Sequence, residues 1–277
     1  MSETLDRLAA FTTDSRGGNP AGVWIGDSLP TPDMMQEIAA DVGFSETAFV
    51  APATGANRTI RYYSPAMEVS FCGHATIATG VVLGETTGDG TYQLSTTVGV
   101  VPVTVGQRQG NYEASLTSVA PTYSPAPETL VKHALSILGW ETNDLDPSIP
   151  PAKAYAGAWH LVLATANKER LDTLDYDFET LKALMVNDNL TTLQLVWRES
   201  DSVFHSRNPF PVGGVVEDPA TGAAAAALGG YLREAKLIAA PTTFLIRQGE
   251  AMGRPSQIWV SVPATDGIIV TGNAVRM

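Results

Sequence analysis

Cysteine is nearly absent from this sequence, since Cys72 is the one thiol in 277 residues. A single thiol excludes an intramolecular disulfide and any cysteine-rich metal site. Glycine-rich dinucleotide fingerprints, phosphate-binding loops and paired-cysteine zinc spacings are also missing. The histidines stand far apart, with no close ligand spacing, at His74, His133, His160 and His205. The sequence therefore predicts no metal site.

Positive charge and long apolar runs are also scarce. The chain has 17 Lys and Arg against 29 Asp and Glu, for a net charge of −12. Without a cluster of basic residues, nucleic acid is not an expected partner. No run approaches the ~20 apolar residues of a membrane-spanning helix. The first residues are acidic and polar, unlike a signal peptide, so we expect no membrane association and a cytoplasmic location.

What the chain does contain is a mixture of short strands and a few helices. Runs rich in Thr, Val, Tyr and Ile predict strands, among them TIRYYSP, TYQLSTTVGVVPVTVG, NYEASLTSV, HLVLAT, TLQLVWR and QIWVSVP. The segment TPDMMQEIAADVG has a Thr cap, a Pro at the first helical position and a Gly stop. Helical apolar spacing also marks PETLVKHALSILGW and DFETLKALMVND.

Two further helices, over residues 74–84 and 220–232, are apolar or small on every side. A helix without a polar face is expected to be surrounded by protein. The two segments share Ala-Thr-x-Ala followed by Leu-Gly at an offset of 145 residues. This repeat predicts an α+β fold of two similar lobes, each a curved sheet around one buried helix. We expect the first lobe to span residues 1–120, with the C-terminus as a candidate addition to it, and the second to span 121–277.

Glu46 is the first candidate for chemistry. It stands in an apolar setting, between Phe44 and Phe49. A carboxylate against aromatic surface is desolvated, and desolvation raises its pKa toward the range useful in general acid/base catalysis. The alternative is a glutamate that faces solvent on an alternating strand or caps a turn.

The starts of the two apolar helices are the next candidates. His74 follows Gly73 at one start, and Asp218, Thr221 and Gly222 precede or open the other. Helix N-termini present free N–H groups to anions, so both starts suit a small carboxylate. The alternatives are a structural histidine and a capping aspartate.

Four segments in order, GNPAGV, FSETAFV, FCGHATIATG and EDPATGAAAAAL, resemble the PhzF (phenazine biosynthesis-like) family. The resemblance spans about residue 10 to residue 275. It implies the diaminopimelate epimerase-like fold, with two pseudo-symmetric lobes that are each a barrel-like sheet around a central helix. It also implies an isomerase that needs no cofactor, and a homodimer.

The resemblance further implies site residues. Glu46 would move a proton between carbons of a small cyclic or amino-acid-like carboxylate, and His74 and Asp218 would bind and orient the substrate. The residues implied to line the substrate site are Asn19, Ser45, Cys72, Gly73, Thr221, Gly222 and Ala223.

Two departures from the family pattern affect these expectations. Many relatives read EDPATGSA, whereas Ala223 stands here at the serine position, so one side-chain donor is missing. Cys72 stands where epimerases of this fold place one of two catalytic cysteines, and its counterpart in the second lobe is expected near Pro219. Since the chain has no second thiol, a two-thiol epimerase is excluded.

Three hypotheses about function follow. The first is a Glu46-dependent proton shift. The second pairs Cys72 with Glu46 in a racemase, epimerase or dehydratase of an amino or hydroxy acid, against the alternative that Cys72 is only a small buried residue. The third is a non-catalytic homologue that binds a small molecule or a protein.

Overall fold

The structure is a computed structural model that describes residues 3–277. It contains two compact units. The first comprises the chain up to Thr117 together with Thr271–Met277, and the second is Ser118–Val270. The expected lobes, residues 1–120 and 121–277, stay a prediction. None of the helices within the described residues has the length and apolar character that crossing a membrane requires.

The first unit is built on a closed barrel. Its strands are β1 (Thr4–Ala10), β2 (Asn19–Ile25), β3 (Glu46–Pro52), β4 (Asn57–Tyr63), β5 (Glu68–Val69), β6 (Gly90–Thr96), β7 (Gly99–Arg108), β8 (Asn111–Thr117) and β17 (Ile269–Arg276). Eight of them pair in the closed order β1–β2–β3–β4–β6–β7–β8–β17, and β17 pairs back with β1. The short β5 adds to β4. The C-terminal strand therefore closes a barrel that the N-terminal strand begins.

Helix α2 (Gly73–Thr87) is surrounded by this barrel. It packs against β1, β2, β3, β7 and β8, and every residue from His74 to Gly84 is buried. Its glycines permit the close packing, since a Cβ atom added to Gly80 would lie 2.6 Å from Cβ of Ala114. The sequence-predicted buried helix is confirmed here.

Helix α1 (Pro32–Val42) lies outside the barrel, against β3 and β4. Its ends match the sequence signals. The Thr31 hydroxyl accepts a hydrogen bond from the Met34 N–H, and Gly43 ends the helix with a φ of 70°. This helix connects β2 to β3, which run parallel and side by side.

The second unit repeats this plan. Its strands are β9 (Thr122–Pro125), β10 (Ala152–Tyr155), β11 (Trp159–Thr165), β12 (Thr192–Ser200), β13 (Val203–Phe210), β14 (Val215–Asp218), β15 (Thr242–Gln248) and β16 (Ser256–Val262). Their sheet follows the order β9–β10–β11–β12–β13–β15–β16, and β14 pairs with β13. Helix α6 (Gly222–Glu234) packs against β9, β10, β11 and β16, with all of Ala224–Leu232 buried.

The remaining helices cover the outside of this sheet. They are α3 (Glu128–Leu138), α4 (Lys168–Asp172) and α5 (Phe178–Asn187). Leucines of α3 and α5 join Trp140 and the buried faces of β11 and β12 in one apolar cluster. Both longer helices match the apolar spacing in the sequence.

The two units share the way in which their strands are connected. In each unit one parallel pair of strands is connected through outer helices: β2 with β3, and β11 with β12. A second parallel pair is connected through the segment that contains the buried helix: β4 with β6, and β13 with β15. The predicted α+β fold of two pseudo-symmetric, barrel-like lobes is confirmed.

The register of the repeat differs from the sequence prediction. The buried helices begin at Gly73 and Gly222, 149 residues apart, with Cys72 and Thr221 as their respective N-caps. The expected offset of 145 was therefore wrong by four residues, about one helical turn. Runs of Ala, Leu and Gly match themselves one turn away, which explains the error. The N-cap of the second buried helix, Thr221, lies two residues after Pro219, near which the counterpart of Cys72 is expected.

Candidate active site

Glu46 opens strand β3 at one end of the first barrel. The residues that follow it in the strand, Thr47–Ala51, are all buried because α1 covers one face and the barrel interior the other. The Glu46 side chain is 20% exposed, so its carboxylate remains reachable from solvent. This partial exposure lies between the two alternatives from the sequence, a desolvated carboxylate and one that faces solvent.

Cys72 and His74 place their side chains beside this carboxylate. The Cys72 Sγ lies 3.5 Å from Oε2 of Glu46 and 3.4 Å from Nδ1 of His74. Nε2 of His74 lies 3.3 Å from the same Glu46 oxygen. Both Cys72 and His74 are buried, so Glu46 is the more exposed member of this cluster.

Asn19 and Ser45 complete the surroundings of His74. The Asn19 Nδ2 is 3.3 Å from Nδ1 of the imidazole, and the Ser45 Oγ is 3.3 Å from Nε2. An amide N–H donated to Nδ1 leaves the ring proton on Nε2, from where it is donated toward Glu46 or Ser45. Asn19 is buried at the start of β2, whereas Ser45 is exposed. The arrangement places the imidazole as a hydrogen-bond donor to the carboxylate.

Beneath the cluster lies a network that the sequence analysis missed. Thr76 Oγ1 donates a 2.6 Å hydrogen bond to the Cys72 carbonyl oxygen, so the Tyr62 hydroxyl, 2.7 Å away, donates to Thr76. Burial raises the pKa of Tyr62 far above its ordinary range, which keeps the phenol protonated as a donor. This chain fixes the backbone at the start of α2. The sequence feature that could have revealed this network is Thr76, a polar residue on an otherwise apolar helix.

Gly73 is the first residue of α2 and stands between Cys72 and His74 in the sequence. A Cβ atom built on it would meet nothing within 4 Å. Packing against the rest of the protein therefore does not require glycine at this position. The space beside the first N–H groups of the helix is open. Such a position permits a ligand to approach the backbone closely.

In the second unit, Asp218 and Thr221 form a separate polar group at the start of α6. The Thr221 hydroxyl donates a 2.6 Å hydrogen bond to Oδ2 of Asp218. Gln248, which the sequence analysis missed, donates through Nε2 to the Asp218 carbonyl at 2.7 Å and to Thr221 Oγ1 at 2.9 Å. Its Oε1 accepts from the Thr221 N–H at 3.2 Å. The sequence feature that could have revealed this role is Gln248 itself, a polar residue at an inward position of β15.

The predicted residues therefore form two groups within their own units. Glu46, His74, Asn19, Ser45 and Cys72 lie together, with Gly73 at the adjoining helix start. The second group is Asp218, Thr221, Gly222 and Ala223 at the start of α6, where Ala223 is half-buried. A surface groove of 540 Å³ lined by Lys132, Trp140 and Thr142 contains none of these residues.

The first group also contains a set of possible metal ligands. Glu46, Cys72 and His74 each offer one ligand atom, and these atoms lie within 4.8 Å of one another. The expectation of no metal site, drawn from sequence spacing alone, stays untested.

Relatives named as isomerases resemble the chain along nearly its full length. An uncharacterized isomerase of Bacillus subtilis, YfhB, is 29% identical over 97% of this chain and 94% of the relative. A trans-2,3-dihydro-3-hydroxyanthranilate isomerase of Pseudomonas fluorescens is 29% identical over 97% of this chain and 95% of the relative.

Solved structures resemble it as well. A phenazine biosynthesis protein of the PhzF family from Bacillus anthracis superposes with a TM-score of 0.86 at 25% identity, over 100% of this chain and 98% of that one. A hydroxyproline epimerase from Agrobacterium vitis, at 14% identity, shares the fold with a TM-score of 0.67, over 99% of this chain and 90% of that one. The PhzC-PhzF family, described as phenazine biosynthesis-like protein, matches residues 8–277. With this match over nearly the whole sequence, the chain belongs to the phenazine biosynthesis-like PhzC-PhzF family and is an enzyme of the isomerase class.

Proposed function

We propose that the chain moves a proton between two carbons of a small cyclic or amino-acid-like carboxylate, with Glu46 as the acid/base group. The observation that carries this proposal is the position of the Glu46 carboxylate. It is reachable from solvent and lies 3.3 Å from a buried histidine that hydrogen-bonds it. The neighbouring thiol, 3.5 Å away, is buried.

The geometry suits a base that removes a proton and returns it. His74 Nε2 and the Cys72 thiol both approach Oε2, which leaves Oε1 to take a proton from substrate carbon. Hydrogen bonds to one oxygen fix the plane of the carboxylate and reduce the entropy lost on reaching the reactive geometry. Positioned acid/base groups of this kind typically contribute ~10²–10⁴-fold in rate.

Substrate binding is proposed for the helix start at Gly73, because the open space there exposes N–H groups to a carboxylate. Asn19 and Ser45 would act through His74, which they contact. By family resemblance, Asp218, Thr221, Gly222 and Ala223 are proposed to contribute to binding from the second unit. Since the Thr221 hydroxyl is already paired with Asp218 and Gln248, its main role would be to hold Asp218.

The experiment is proton NMR in D₂O with wild type and Glu46→Gln. The substrates are trans-2,3-dihydro-3-hydroxyanthranilate, which the Pseudomonas fluorescens relative is named for, and a panel of cyclic amino and hydroxy acids. We expect wild type to introduce deuterium at a carbon position. The Glu46→Gln variant should lose at least 100-fold of that rate, because an amide cannot accept the proton.

The matched control is Glu37→Gln, which makes the same chemical change at an exposed position of α1. Its exchange rate should equal that of wild type. Full activity in Glu46→Gln, with both variants folded by circular dichroism, would contradict the assignment. Retention of activity after dialysis against EDTA would support a reaction that needs no metal cofactor.

A second candidate function pairs Cys72 with Glu46 in racemisation, epimerisation or dehydration of an amino or hydroxy acid. The 3.5 Å separation of Sγ and Oε2 favours it. Here Cys72→Ala should abolish exchange as completely as Glu46→Gln, and substrate should protect the thiol against iodoacetamide. If Cys72→Ala retains more than about a tenth of the rate, the thiol is not an acid/base group.

Three further expectations belong with this proposal. A non-catalytic homologue would bind ligands without any solvent exchange in the same NMR experiment. Family resemblance indicates a homodimer, for which light scattering should give about twice the 29.3 kDa chain mass. A cytoplasmic location is proposed as well, and cell fractionation tests it.

A further inference from the structure

We propose that Tyr62 is a positioning residue. Acting through Thr76, it fixes the orientation of the peptide between Cys72 and Gly73, and this peptide presents the Gly73 N–H to the substrate carboxylate. The role in substrate binding rests on the proposed function, whereas the role in fixing the peptide stands without it.

Two hydrogen bonds connect Tyr62 to this peptide. A carbonyl oxygen can only accept, so the Thr76 hydroxyl donates the 2.6 Å bond to the Cys72 carbonyl oxygen. Because its own proton is used there, the Thr76 hydroxyl accepts from the Tyr62 hydroxyl, 2.7 Å away. The Thr76 N–H donates to the same carbonyl oxygen at 3.0 Å. The Cys72 carbonyl is therefore held by two donors, and Tyr62 sets the direction of one of them.

The geometry of the peptide bond passes this constraint to Gly73. A trans peptide is planar, and its C=O and N–H groups point in opposite directions. Because the Cys72 carbonyl accepts from Thr76, it points into the helix, so the Gly73 N–H points out of the N-terminal end. The first N–H groups of a helix have no partner within it. This one lies beside the open space at Gly73, where substrate is proposed to bind.

Burial makes the chain from Tyr62 to the carbonyl sensitive to the loss of one hydroxyl. Tyr62 is 1% exposed and Thr76 is fully buried. Burial also raises the pKa of Tyr62 far above its ordinary range, so the phenol keeps the proton that it donates. Removal of this hydroxyl leaves a buried Thr76 oxygen without its donor. Since hydrogen bonds in a chain strengthen one another, the bond to the Cys72 carbonyl is then weakened.

The ring of Tyr62 is held separately from its hydroxyl. It makes an edge-to-face contact with Phe71, with 5.9 Å between the ring centroids and 75° between the planes. On β4, Tyr62 pairs with Ala48 of β3 and Val69 of β5, so strand pairing fixes its backbone on both sides. Tyr62→Phe keeps the ring and the pairing, and therefore removes the hydroxyl alone.

The first test observes this one peptide by NMR, in the full-length protein without substrate. Cys72 is the one cysteine in the sequence, so Cys72–Gly73 is its one Cys–Gly peptide. Protein labelled with carbonyl-¹³C cysteine and ¹⁵N glycine therefore gives a single amide signal when the spectrum is selected by the ¹³C–¹⁵N coupling. In Tyr62→Phe and Thr76→Val, the ¹³C resonance should move upfield, because the carbonyl accepts a weaker hydrogen bond or one fewer. Thr76→Ser keeps the hydroxyl and should keep the wild-type shift.

Tyr92→Phe is the matched control. Tyr92 is also buried, and its hydroxyl donates at 2.7 Å to the carbonyl oxygen of Gly88, at the opposite end of α2. Both variants lose a hydrogen bond to the same helix and should lower the urea midpoint, but Tyr92→Phe should leave the Gly73 signal unchanged. An unchanged signal in Tyr62→Phe overturns the proposal. If that variant does not fold, Thr76→Val decides in the same way.

The second test is the deuterium-exchange assay. Tyr62→Phe should raise KM about fivefold or more, because a misdirected N–H loses a hydrogen bond to a charged carboxylate. The change in kcat should be smaller, since His74 holds the Glu46 carboxylate through its side chain. Thr76→Ser and Tyr92→Phe should keep the wild-type KM.

A wild-type KM in Tyr62→Phe, with the NMR signal shifted, overturns the role in substrate binding. If wild type exchanges no substrate of the panel, the proposed function fails instead. The NMR result, which needs no substrate, still decides whether Tyr62 orients the peptide.

Discussion

At the residue scale, Arg207 and Glu217 in the second unit form an ion pair nearly closed to solvent. The side chains are 14% and 4% exposed and make two hydrogen bonds, of 2.6 and 3.0 Å. Arg207 also donates to the Asp172 carbonyl oxygen at 2.9 Å. The pair therefore connects β13 to β14, the strand that ends at Asp218.

Removing one partner should destabilise the protein strongly. We expect Arg207→Met to lower the free energy of unfolding by about 3–5 kcal/mol, since Glu217 is left charged and unpaired. The measurement is urea unfolding at pH 7. Arg198→Met is the matched control, because its partner Asp201 is 98% exposed, and it should cost less than about 1 kcal/mol. A loss for Arg207→Met no larger than for Arg198→Met would contradict this account.

A second residue-scale prediction concerns His160. This side chain is fully buried, with Nδ1 2.8 Å from Thr192 Oγ1, and burial lowers its pKa to about 3. In the unfolded chain the pKa returns to about 6.5, so the unfolded state binds a proton that the folded state does not. The contribution of neutral His160 to the free energy of unfolding is therefore fully present above about pH 6.5. It is lost as the pH falls toward 3.

The expected loss is about 1.4 kcal/mol per pH unit for this one proton. Urea unfolding between pH 7 and pH 5 avoids most carboxyl titration. Over that range, wild type should lose more stability than His160→Asn, whose side chain retains an acceptor for Thr192. Parallel pH profiles for the two proteins would show that His160 does not titrate on unfolding.

At the element scale, Gln248 links the end of β15 to the start of α6. It satisfies the Asp218 carbonyl, the Thr221 N–H and the Thr221 hydroxyl from a position only 1% exposed. Gln248→Leu should lower the free energy of unfolding by about 1–3 kcal/mol, because those backbone groups lose their partners. The exposed Gln257 on β16 provides the control, Gln257→Leu, which should stay within about 0.5 kcal/mol of wild type. Equal unfolding midpoints for the two variants would contradict the role of Gln248.

At the scale of the whole molecule, the last strand determines whether the first barrel closes. β17 pairs with β1 and β8, which are otherwise barrel edges, and its Asn273 donates to the Tyr112 carbonyl oxygen at 2.9 Å. A chain that ends after Val270 should lose its cooperative thermal transition and aggregate, since two edges of the sheet are exposed. Deletion of Met277 alone, a residue 51% exposed, is the control. A cooperative transition at the wild-type temperature in the longer truncation would contradict this prediction.

Much of the fold could be predicted from local patterns. Thr31, Pro32 and Gly43 mark both ends of α1, and the small, apolar character of α2 and α6 indicates helices surrounded by protein. These features are local or periodic, so a single sequence displays them. The GFSETAFV and SFCGHATIATG segments also contain Glu46 and His74, which the structure brings within 3.3 Å.

Other features depended on tertiary structure. The offset of the repeat was misjudged by one helical turn, because Ala and Gly runs do not define where a helix begins. Only the barrel brings the Cys72 thiol to 3.5 Å from Glu46, 26 residues away in the sequence, and only the folded second unit reveals that Gln248 holds the start of α6. Sequence alone determined which segments are helices, strands and candidate sites, since those properties follow from neighbouring residues. Tertiary structure decided which polar side chains meet, since those contacts depend on strand pairing between distant parts of the chain.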